Sequence, residues 1–325
     1  MFLSLQSKTI ADIEIVRLLI ESHRKLADGA SSEKRNGIKA YAVSSSVTRL
    51  YAVYEMFIET AISDYLDSLS EFKSFSSLSS SFKKEYRNGI SYILGKVDQG
   101  RYRHLNYENI VKWYYEALSD NENYQIISDA LIRHEQNLRL NIVDSLFSRI
   151  QLTDFKNWLS SHPDIRALYQ DGGSITEQFE SEIKDFVQLR NDASHGTIDS
   201  LEGDDNLVRL CEVVAAVVNA VSSFLTKSLI LIMEDSGDLI HLGNVIESFG
   251  QNGSFITKIK KDTEISEGDK LYFLGNNNCH SQTIESMMID DQSTTNLVAK
   301  NDDYEVGIKC TDGVKKNFRI YKNHP

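Results

Sequence analysis

Proline is almost absent from this sequence: only Pro163 and the last residue, Pro325, occur among 325 residues. Proline lacks a backbone N–H and its ring clashes with the preceding helical turn, so its absence permits long uninterrupted helices. From Thr9 to about Glu234, apolar residues recur at the three- and four-residue spacing of a helix face. This part of the chain is therefore predicted to be helical throughout.

The longest predicted helix covers residues 38–69, where apolar and aromatic side chains keep helical spacing over many turns. A serine-rich loop is expected at residues 70–81. Pro163 disfavours helix in the residue before it, and Ser174 with Glu177 forms a capping-box pattern that starts a helix. The further predicted helices cover residues 84–97, 107–118, 124–147, 153–159, 164–169, 175–189 and 207–233.

The composition changes near Ser236. Beyond it, short apolar runs with strand periodicity alternate with clusters of glycine and asparagine, which is typical of a small barrel or sandwich. The fold class is therefore predicted to be multidomain, with a helical bundle in residues 1–235 followed by a small β-barrel in residues 236–325. The predicted strands cover residues 239–249, 254–259, 270–274, 283–289, 296–300, 304–309 and 318–321.

The formal net charge of −12 limits how the chain could bind nucleic acid. A protein that neutralises many phosphates through a broad face is usually basic. Any RNA contact is therefore expected to be local, made by a small basic patch on an acidic body.

Cys211, Cys279 and Cys310 are widely spaced, so neither a thiolate zinc site nor a disulfide framework is expected. This cysteine usage fits a reducing cytoplasm.

No membrane contact is predicted. The start of the chain lacks the basic region and small-residue cleavage site of a signal peptide. The most apolar stretch, Leu207–Met233, is interrupted by Arg209, Glu212 and Lys227, so its uncharged runs are shorter than the roughly 18 residues that a span needs. It is interpreted as a buried helix.

The segment Phe186–Gly196 carries the residues best suited to chemistry. Arg190 and His195 are five positions apart, which on a continuous helix separates them by about 140° around the axis. The residues between them favour caps and turns, so the helix is expected to end near Leu189 and turn both side chains to one side. An imidazole can then exchange a proton with a ribose 2′-hydroxyl, and a guanidinium can bind the phosphate. An ordinary ion pair of Arg190 with a nearby acid is the alternative.

The sequence Arg-Asn-Asp-Ala-Ser-His-Gly at residues 190–196 resembles the R-N-x-x-x-H motif of HEPN domains. Two upstream segments, Tyr51–Glu59 and Asn137–Phe147, are similar to the stretches that RiboL-PSP-type HEPN families carry before this motif. The resemblance covers about Thr9–Glu234. It implies a helical bundle that dimerises face to face, so that the motifs of two copies form one composite cleft.

What the resemblance implies for function is a metal-independent endoribonuclease without a cofactor, which leaves a cyclic phosphate on tRNA, mRNA or rRNA. Such proteins commonly act as toxins or abortive-infection effectors in phage defence, and an antitoxin or another regulatory protein can restrain them. Arg190 would bind the scissile phosphate, His195 would transfer the proton, and Asn191 would fix the helix end or contact the phosphate. Glu55 is a candidate for the auxiliary acid, and a solvated or helix-pairing glutamate is the alternative. Some HEPN toxins carry an antitoxin-modified tyrosine two residues after the histidine, whereas this chain has Thr197.

The C-terminal region is similar in segment order to domain 2 of translational GTPases such as elongation factor Tu. The segments that carry this resemblance are Leu242–Glu247, Glu267–Tyr272, Gln282–Ile289 and Glu305–Lys309. No P-loop occurs in the sequence, so GTPase activity is not implied. The resemblance implies RNA contact, with Lys315 and Lys316 among the candidate residues; a protein-docking scaffold is the competing interpretation.

Arg101 and Arg103 form a compact basic–aromatic cluster with their neighbours Tyr102 and His104, which could contact RNA. A solvated loop is the alternative for this cluster. For the whole chain, the alternative to a ribonuclease is a catalytically inactive HEPN module that binds RNA or a protein and acts as an interaction scaffold.

Overall fold

Helices occupy the first part of the chain and antiparallel strands the second, in a computed structural model that describes residues 2–169, 173–195, 203–300 and 302–324. This order confirms the predicted fold class. The helices are α1 (Leu3–Gly29), α2 (Ser32–Phe72), α3 (Ser80–Leu94), α4 (Tyr107–Leu118), α5 (Asp129–Ile132), α6 (Leu140–Arg149), α7 (Phe155–Ser161), α8 (Pro163–Leu168), α9 (Ile175–His195) and α10 (Asp204–Ser236). The strands are β1 (Leu239–Ser248), β2 (Ser254–Ile259), β3 (Thr263–Ser266), β4 (Lys270–Leu274), β5 (Cys279–Ile289), β6 (Gln292–Thr294), β7 (Asn296–Ala299), β8 (Tyr304–Cys310) and β9 (Arg319–Asn323).

The chain divides into two compact units, Met1–Leu225 and Thr226–Pro325. The change from helix to strand falls between Ser236 and Leu239. The last turns of α10 therefore belong to the same compact unit as the strands. The domain limits 1–235 and 236–325 stay a prediction.

The helical unit is built around α2. This helix of 41 residues packs along α1 and against α9. Its buried residues repeat every three or four positions, as expected for a helix that is covered on one broad face. A second cluster of rings joins α6, α7 and α10, where Phe147 and Phe155 lie 4.4 Å apart between ring centroids and Trp158 lies 5.9 Å from Phe224. Burying each such ring contributes about 1.5–3 kcal/mol.

The expectation of one helix over residues 124–147 is wrong. The structure has two short helices there, α5 and α6, joined by an irregular segment of residues 133–139. Arg133 has a ψ angle of 125° and Arg139 one of 161°, so the backbone leaves the helical region at both ends of this segment. At Gly89, a Cβ atom would lie 1.9 Å from the carbonyl oxygen of Ala130. The missing side chain lets α3 contact the backbone of α5 directly.

Helix α10 is the one described helix whose length and composition would allow it to cross a membrane. Of its most apolar window, 78% is buried inside the structure. This agrees with the interpretation of residues 207–233 as a core helix.

The second unit is a closed antiparallel barrel. Its strands pair in the order β4-β9-β1-β2-β8-β5, and β4 also pairs with β5, which closes the ring. Phe255, Phe273 and Ile320 are among the residues that fill the interior. At Gly243, where the pairing of β1 with β9 shifts register, a Cβ atom would lie 2.2 Å from the carbonyl oxygen of Lys258.

The predicted barrel is confirmed, but two strands were not predicted. The two are β3, which pairs with β7, and β6, which pairs antiparallel with the end of β5. Both are short, and polar residues make up most of each, so neither carries the apolar alternation from which strands were inferred.

His280 supplies a pH dependence for the stability of the second unit. Its ring stacks on Phe273 at 5.3 Å between centroids, and its Nε2 is buried with no hydrogen-bond partner among the described residues. Burial lowers the pKa of His280 from 6.5 to about 4. The unfolded chain therefore binds more protons than the folded chain between these pH values, and the free energy of unfolding falls as the pH falls.

We expect wild-type protein to lose about 1–2 kcal/mol of stability between pH 7 and pH 5 through this residue. His280→Phe keeps a ring on Phe273 but cannot titrate, so its loss over the same interval should be smaller by that amount. Urea unfolding of both proteins at the two pH values measures the difference. Equal pH dependence in the two proteins would contradict this assignment.

Candidate active site

Arg190 extends the buried stripe of α9 towards α2. The stripe consists of Phe179, Ile183, Phe186 and Val187, which recur at helical spacing. Arg190 follows Phe186 by four positions and Val187 by three, so its side chain emerges on the same side. The sequence therefore places a guanidinium at the edge of the α2–α9 interface.

The prediction that the helix ends near Leu189 is wrong, because α9 continues to His195. The turn-favouring side chains are used inside the helix instead. Ser194 Oγ donates to the carbonyl oxygen of Arg190 at 2.9 Å, and Gln188 Nε2 donates to Asp192 Oδ1 at 2.8 Å. Arg190 and His195 therefore diverge by about 140° around one helix axis. His195 is exposed, and no described residue forms a hydrogen bond or ion pair with it.

Two asparagines hold the guanidinium of Arg190. Its Nη1 donates to Asn137 Oδ1 and to Asn191 Oδ1, each at 3.2 Å. Asn137 Nδ2 in turn donates to Asn191 Oδ1 at 2.8 Å. Arg190 and Asn191 lie on α9, whereas Asn137 lies in the irregular segment 133–139. The three side chains form a closed polar triangle.

Arg190 also lies over an aromatic ring. Its guanidinium carbon is 4.6 Å from the centroid of Tyr51 on α2, a distance at which a cation is attracted to the ring face. The N–H groups of Nε and Nη2 have no hydrogen-bond partner among the described residues. No described carboxylate lies within 4.0 Å of Arg190, so the alternative of an ordinary ion pair is not what the structure has.

The hydroxyl of Tyr51 connects three parts of the site. It accepts a hydrogen bond from the backbone N–H of Leu138 at 2.9 Å and donates to Glu55 Oε1 at 3.3 Å. Tyr54 donates to the carbonyl oxygen of Leu138 at 3.0 Å. Burial raises the pKa of Tyr51 to about 12, and the charge of Glu55 raises it while the Leu138 N–H and Arg190 oppose the rise. Glu55 thus lies next to the tyrosine that supports Arg190.

One helical turn beyond Glu55, Glu59 binds a histidine and an arginine. His134 Nε2 lies 2.8 Å and Arg101 Nη2 lies 2.6 Å from Glu59 Oε1. Burial alone would raise the pKa of Glu59, but the hydrogen bond of His134 and the charge of Arg101 outweigh it and lower the pKa. His134 Nδ1 contacts the carbonyl oxygen of Gln136 at 2.8 Å. His134 therefore ties the start of segment 133–139 to α2.

The candidate RNA-binding residues outside this site are dispersed. Arg101 is held by Glu59, whereas Arg103 is exposed. Tyr102 between them is buried and packs edge-on against Tyr92. The exposed ring of the cluster is that of His104, which lies 3.2 Å from Asp129 Oδ2. Lys315 and Lys316 are exposed in the connection between β8 and β9, and no described residue forms an ion pair with either.

The sequence predicted Arg190, Asn191 and Glu55 as site residues. The structure places Arg190 and Glu55 against Tyr51, and Asn191 against Arg190. It missed Asn137 as a site residue, although Asn137 begins one of the segments that resemble HEPN families. The only signal was the position of a short amide side chain ahead of an apolar helix. The motif residue Gly196 and the departure at Thr197 lie outside the described residues.

A helical bundle that ends a long helix with Arg-Asn-Asp-Ala-Ser-His and packs this helix on an aromatic–acidic one defines the HEPN class. The chain belongs to the RiboL-PSP-HEPN family, whose sequence model matches residues 12–227. This match spans about two thirds of the chain.

Other comparisons add little. No curated protein matches the chain. Two crystal structures of the C-terminal domain of a protein described as a U32 peptidase of Geobacillus thermoleovorans are similar to part of it, with 16% and 17% identity. They cover 26% of this chain and 99% and 92% of the matched chains, and both have a TM-score of 0.23. The likeness of the barrel to a translation factor rests on the quoted segments alone.

Removing the hydroxyl of Tyr51 should destabilise the helical unit. In Tyr51→Phe the buried N–H of Leu138 loses its acceptor, which costs about 1–3 kcal/mol. The matched control is Tyr41→Phe, because Tyr41 is 66% exposed, and it should change stability by less than about 0.5 kcal/mol. Urea unfolding midpoints at constant slope measure both. Equal midpoints for wild type and Tyr51→Phe would show that the Leu138 bond does not stabilise the site.

Proposed function

We propose that the protein is a metal-independent endoribonuclease that cleaves RNA by transesterification. The ribose 2′-oxygen attacks the adjacent phosphorus, the new O2′–P bond forms, and the P–O5′ bond breaks. The products are a 2′,3′-cyclic phosphate and a 5′-hydroxyl. His195 transfers the proton that moves between these oxygens, and Arg190 binds the phosphate and stabilises its developing charge. No cofactor takes part in this proposal.

The observation that carries the proposal is the state of Arg190. Its guanidinium is held in place by Asn137, Asn191 and the Tyr51 ring, yet the N–H groups of Nε and Nη2 have no partner among the described residues. These groups form the fork that matches two oxygens of a phosphate. A guanidinium that is positioned without being neutralised is suited to an anionic substrate.

The continuous helix α9 determines the directions in which the two motif side chains point. Because Arg190 and His195 point about 140° apart on one helix, a single copy does not direct both at one phosphate. We infer that a second copy supplies the missing partner, so that Arg190 of one chain acts with His195 of the other in a homodimer. This agrees with the composite cleft that the family resemblance implies.

The remaining residues have supporting roles in this proposal. Asn191 and Asn137 orient Arg190, and Asn137 acts through it as a positioning residue. Glu55 is the auxiliary acid, which influences the site through the hydroxyl of Tyr51. Arg101, Arg103, Lys315 and Lys316 are further candidate RNA contacts.

We propose a cytoplasmic role as a toxin or phage-defence effector with tRNA, mRNA or ribosomal RNA as substrate and an antitoxin or another regulatory protein as partner. Family membership supports the HEPN part of this reading. A binding module without catalysis, serving as an interaction scaffold, is the alternative. RNA ends sequenced after induction in bacteria distinguish the two: new discrete ends in wild type and none in His195→Ala support the nuclease.

Loss of either motif side chain should abolish most cleavage of a responsive RNA. We expect His195→Ala to lower kcat/KM about 100- to 10,000-fold, because proton transfer is lost. Arg190→Ala should lower it about 100- to 1,000-fold, and Arg190→Lys should not restore it, because an ammonium lacks the fork. Arg87→Ala, an exposed arginine on α3, is the control. Full activity in His195→Ala would contradict the proposed chemistry.

The composite site predicts complementation between two inactive variants. A dimer of one Arg190→Ala chain with one His195→Ala chain keeps one site with both residues and loses the other. Equal amounts of the two variants are mixed, unfolded and refolded together. About half the dimers are then mixed and each has one of its two sites intact, so roughly a quarter of wild-type activity should return. If the mixture stays as inactive as its components, the two residues do not act across chains.

A further inference from the structure

A pocket of about 320 Å³ lies beside the proposed site, between α3, the start of segment 133–139 and α6. The charged residues that line it are Arg133, Glu135 and Arg149, and His134, Gln136 and Ser145 also line it. The proposed chemistry uses none of these side chains. The volume lies at the small end of the range for ligand pockets, which fits a phosphate with part of a nucleotide.

One guanidinium of the pocket, that of Arg149, has no carboxylate partner, whereas the lining carboxylate of Glu135 is bound by Lys96. Arg149 Nη1 donates only to backbone carbonyl oxygens, those of Leu131 at 3.3 Å and Arg133 at 2.5 Å. No described carboxylate lies within 4.0 Å of its guanidinium. The neighbouring cations are paired: Arg133 with Glu85 at 3.6 Å, and Lys96 with Glu135 at 2.8 Å.

Arg149 is half-buried, and this makes its lack of a counter-charge significant. Burial lowers the pKa of Arg149, and the charge of Arg133 lowers it further while Glu85 opposes the change. An arginine does not respond by losing its proton, so the positive charge stays. The N–H groups of Nε and Nη2 have no partner among the described residues, and an anion that bound them would relieve this cost.

The pocket and the proposed active site share the segment 133–139. His134 lines the pocket, and Asn137, three residues later, holds Arg190. The guanidinium of Arg149 contacts the carbonyl oxygen of Arg133, and the backbone from Arg133 to Asn137 spans at most about 14 Å. A short stretch of one RNA strand can therefore reach both Arg149 and Arg190.

We propose that this pocket is a subsite in which Arg149 binds a phosphate group of the RNA strand within a few nucleotides of the cleaved one. The assignment to RNA rests on the proposed function, whereas the affinity of the pocket for a phosphate group does not. A free nucleotide or inorganic phosphate offers the same chemistry, and the experiment separates these sources.

Ser145 provides a test that leaves Arg149 and its backbone bonds in place. Ser145 is exposed on α6 and precedes Arg149 by four positions, so the two side chains share one helix face. In Ser145→Glu the introduced carboxylate can pair with Arg149 and occupy the place of the phosphate. Ser145→Gln has the same shape without the charge. Ser148→Glu adds the same charge on α6 outside the pocket.

The probe is a fluorescein-labelled ten-nucleotide single-stranded RNA of mixed sequence. The parent protein is the whole chain with His195→Ala, and every variant also carries this substitution so that the RNA is not cleaved. We expect Ser145→Glu to raise its Kd about tenfold, and Ser145→Gln and Ser148→Glu to stay within about twofold of the parent. Equal Kd values for all variants would overturn the subsite, because RNA binding would not involve Arg149.

Competition separates the sources of the phosphate. In the parent, AMP and inorganic phosphate should displace the RNA only at millimolar concentration. If AMP binds tightly and Ser145→Glu abolishes this without changing the Kd for RNA, the pocket belongs to a free nucleotide and the RNA subsite is overturned. RNA cleavage by chains that keep His195 is measured separately, so failure of catalysis is distinguishable from failure of the subsite.

Discussion

The hydroxyl of Tyr51 is the interaction on which the arrangement of the site depends. Segment 133–139 has no helix or strand to satisfy its backbone, and the buried N–H of Leu138 finds its acceptor on this tyrosine, while the adjacent carbonyl oxygen is bound by Tyr54. This hydrogen bond fixes the position of segment 133–139 along α2. Asn137 on one side of Leu138 then meets Arg190 of α9, and His134 meets Glu59. One buried hydroxyl thereby aligns elements that are far apart in the sequence.

The charge of the chain and the charge of its site differ in sign. The net charge of −12 would repel a polyanion at long range. The guanidinium groups of Arg190 and Arg149 are partly buried, and neither has a carboxylate within 4.0 Å among the described residues. Arg133, next to Arg149, is paired with Glu85. Attraction for a phosphate is thus confined to short range, where the geometry of the forked donors decides which anion fits. Such a surface favours specific contacts over general affinity for nucleic acid.

Much of the fold followed from periodicity. The scarcity of proline and the apolar repeat over residues 38–69 predicted the central helix, and the alternation beyond Ser236 predicted the barrel. The errors have physical causes. Residues 124–147 carry helical spacing, but the contact of α5 with α3 at Gly89 and the anchoring of Leu138 by Tyr51 are long-range, and no local pattern records them. The continuation of α9 to His195 was missed because Ser194 and Asp192 favour turns, yet here they bond within the helix. For the site, the motif pointed to Arg190, but the role of Asn137 depends on a contact across 53 positions.

The unbroken course of α9 determines how a site of this kind could be controlled. Within one chain, Arg190 and His195 could approach each other only if the last turns of the helix unwound, which would break the bonds of Ser194 and Gln188. Movement of a loop would not bring the two side chains together. A site that is completed by a second chain instead depends on encounter, so at low abundance its activity would rise with the square of the protein concentration. The rates of synthesis and degradation, which set the concentration of the chain, would then control this activity more steeply than in simple proportion.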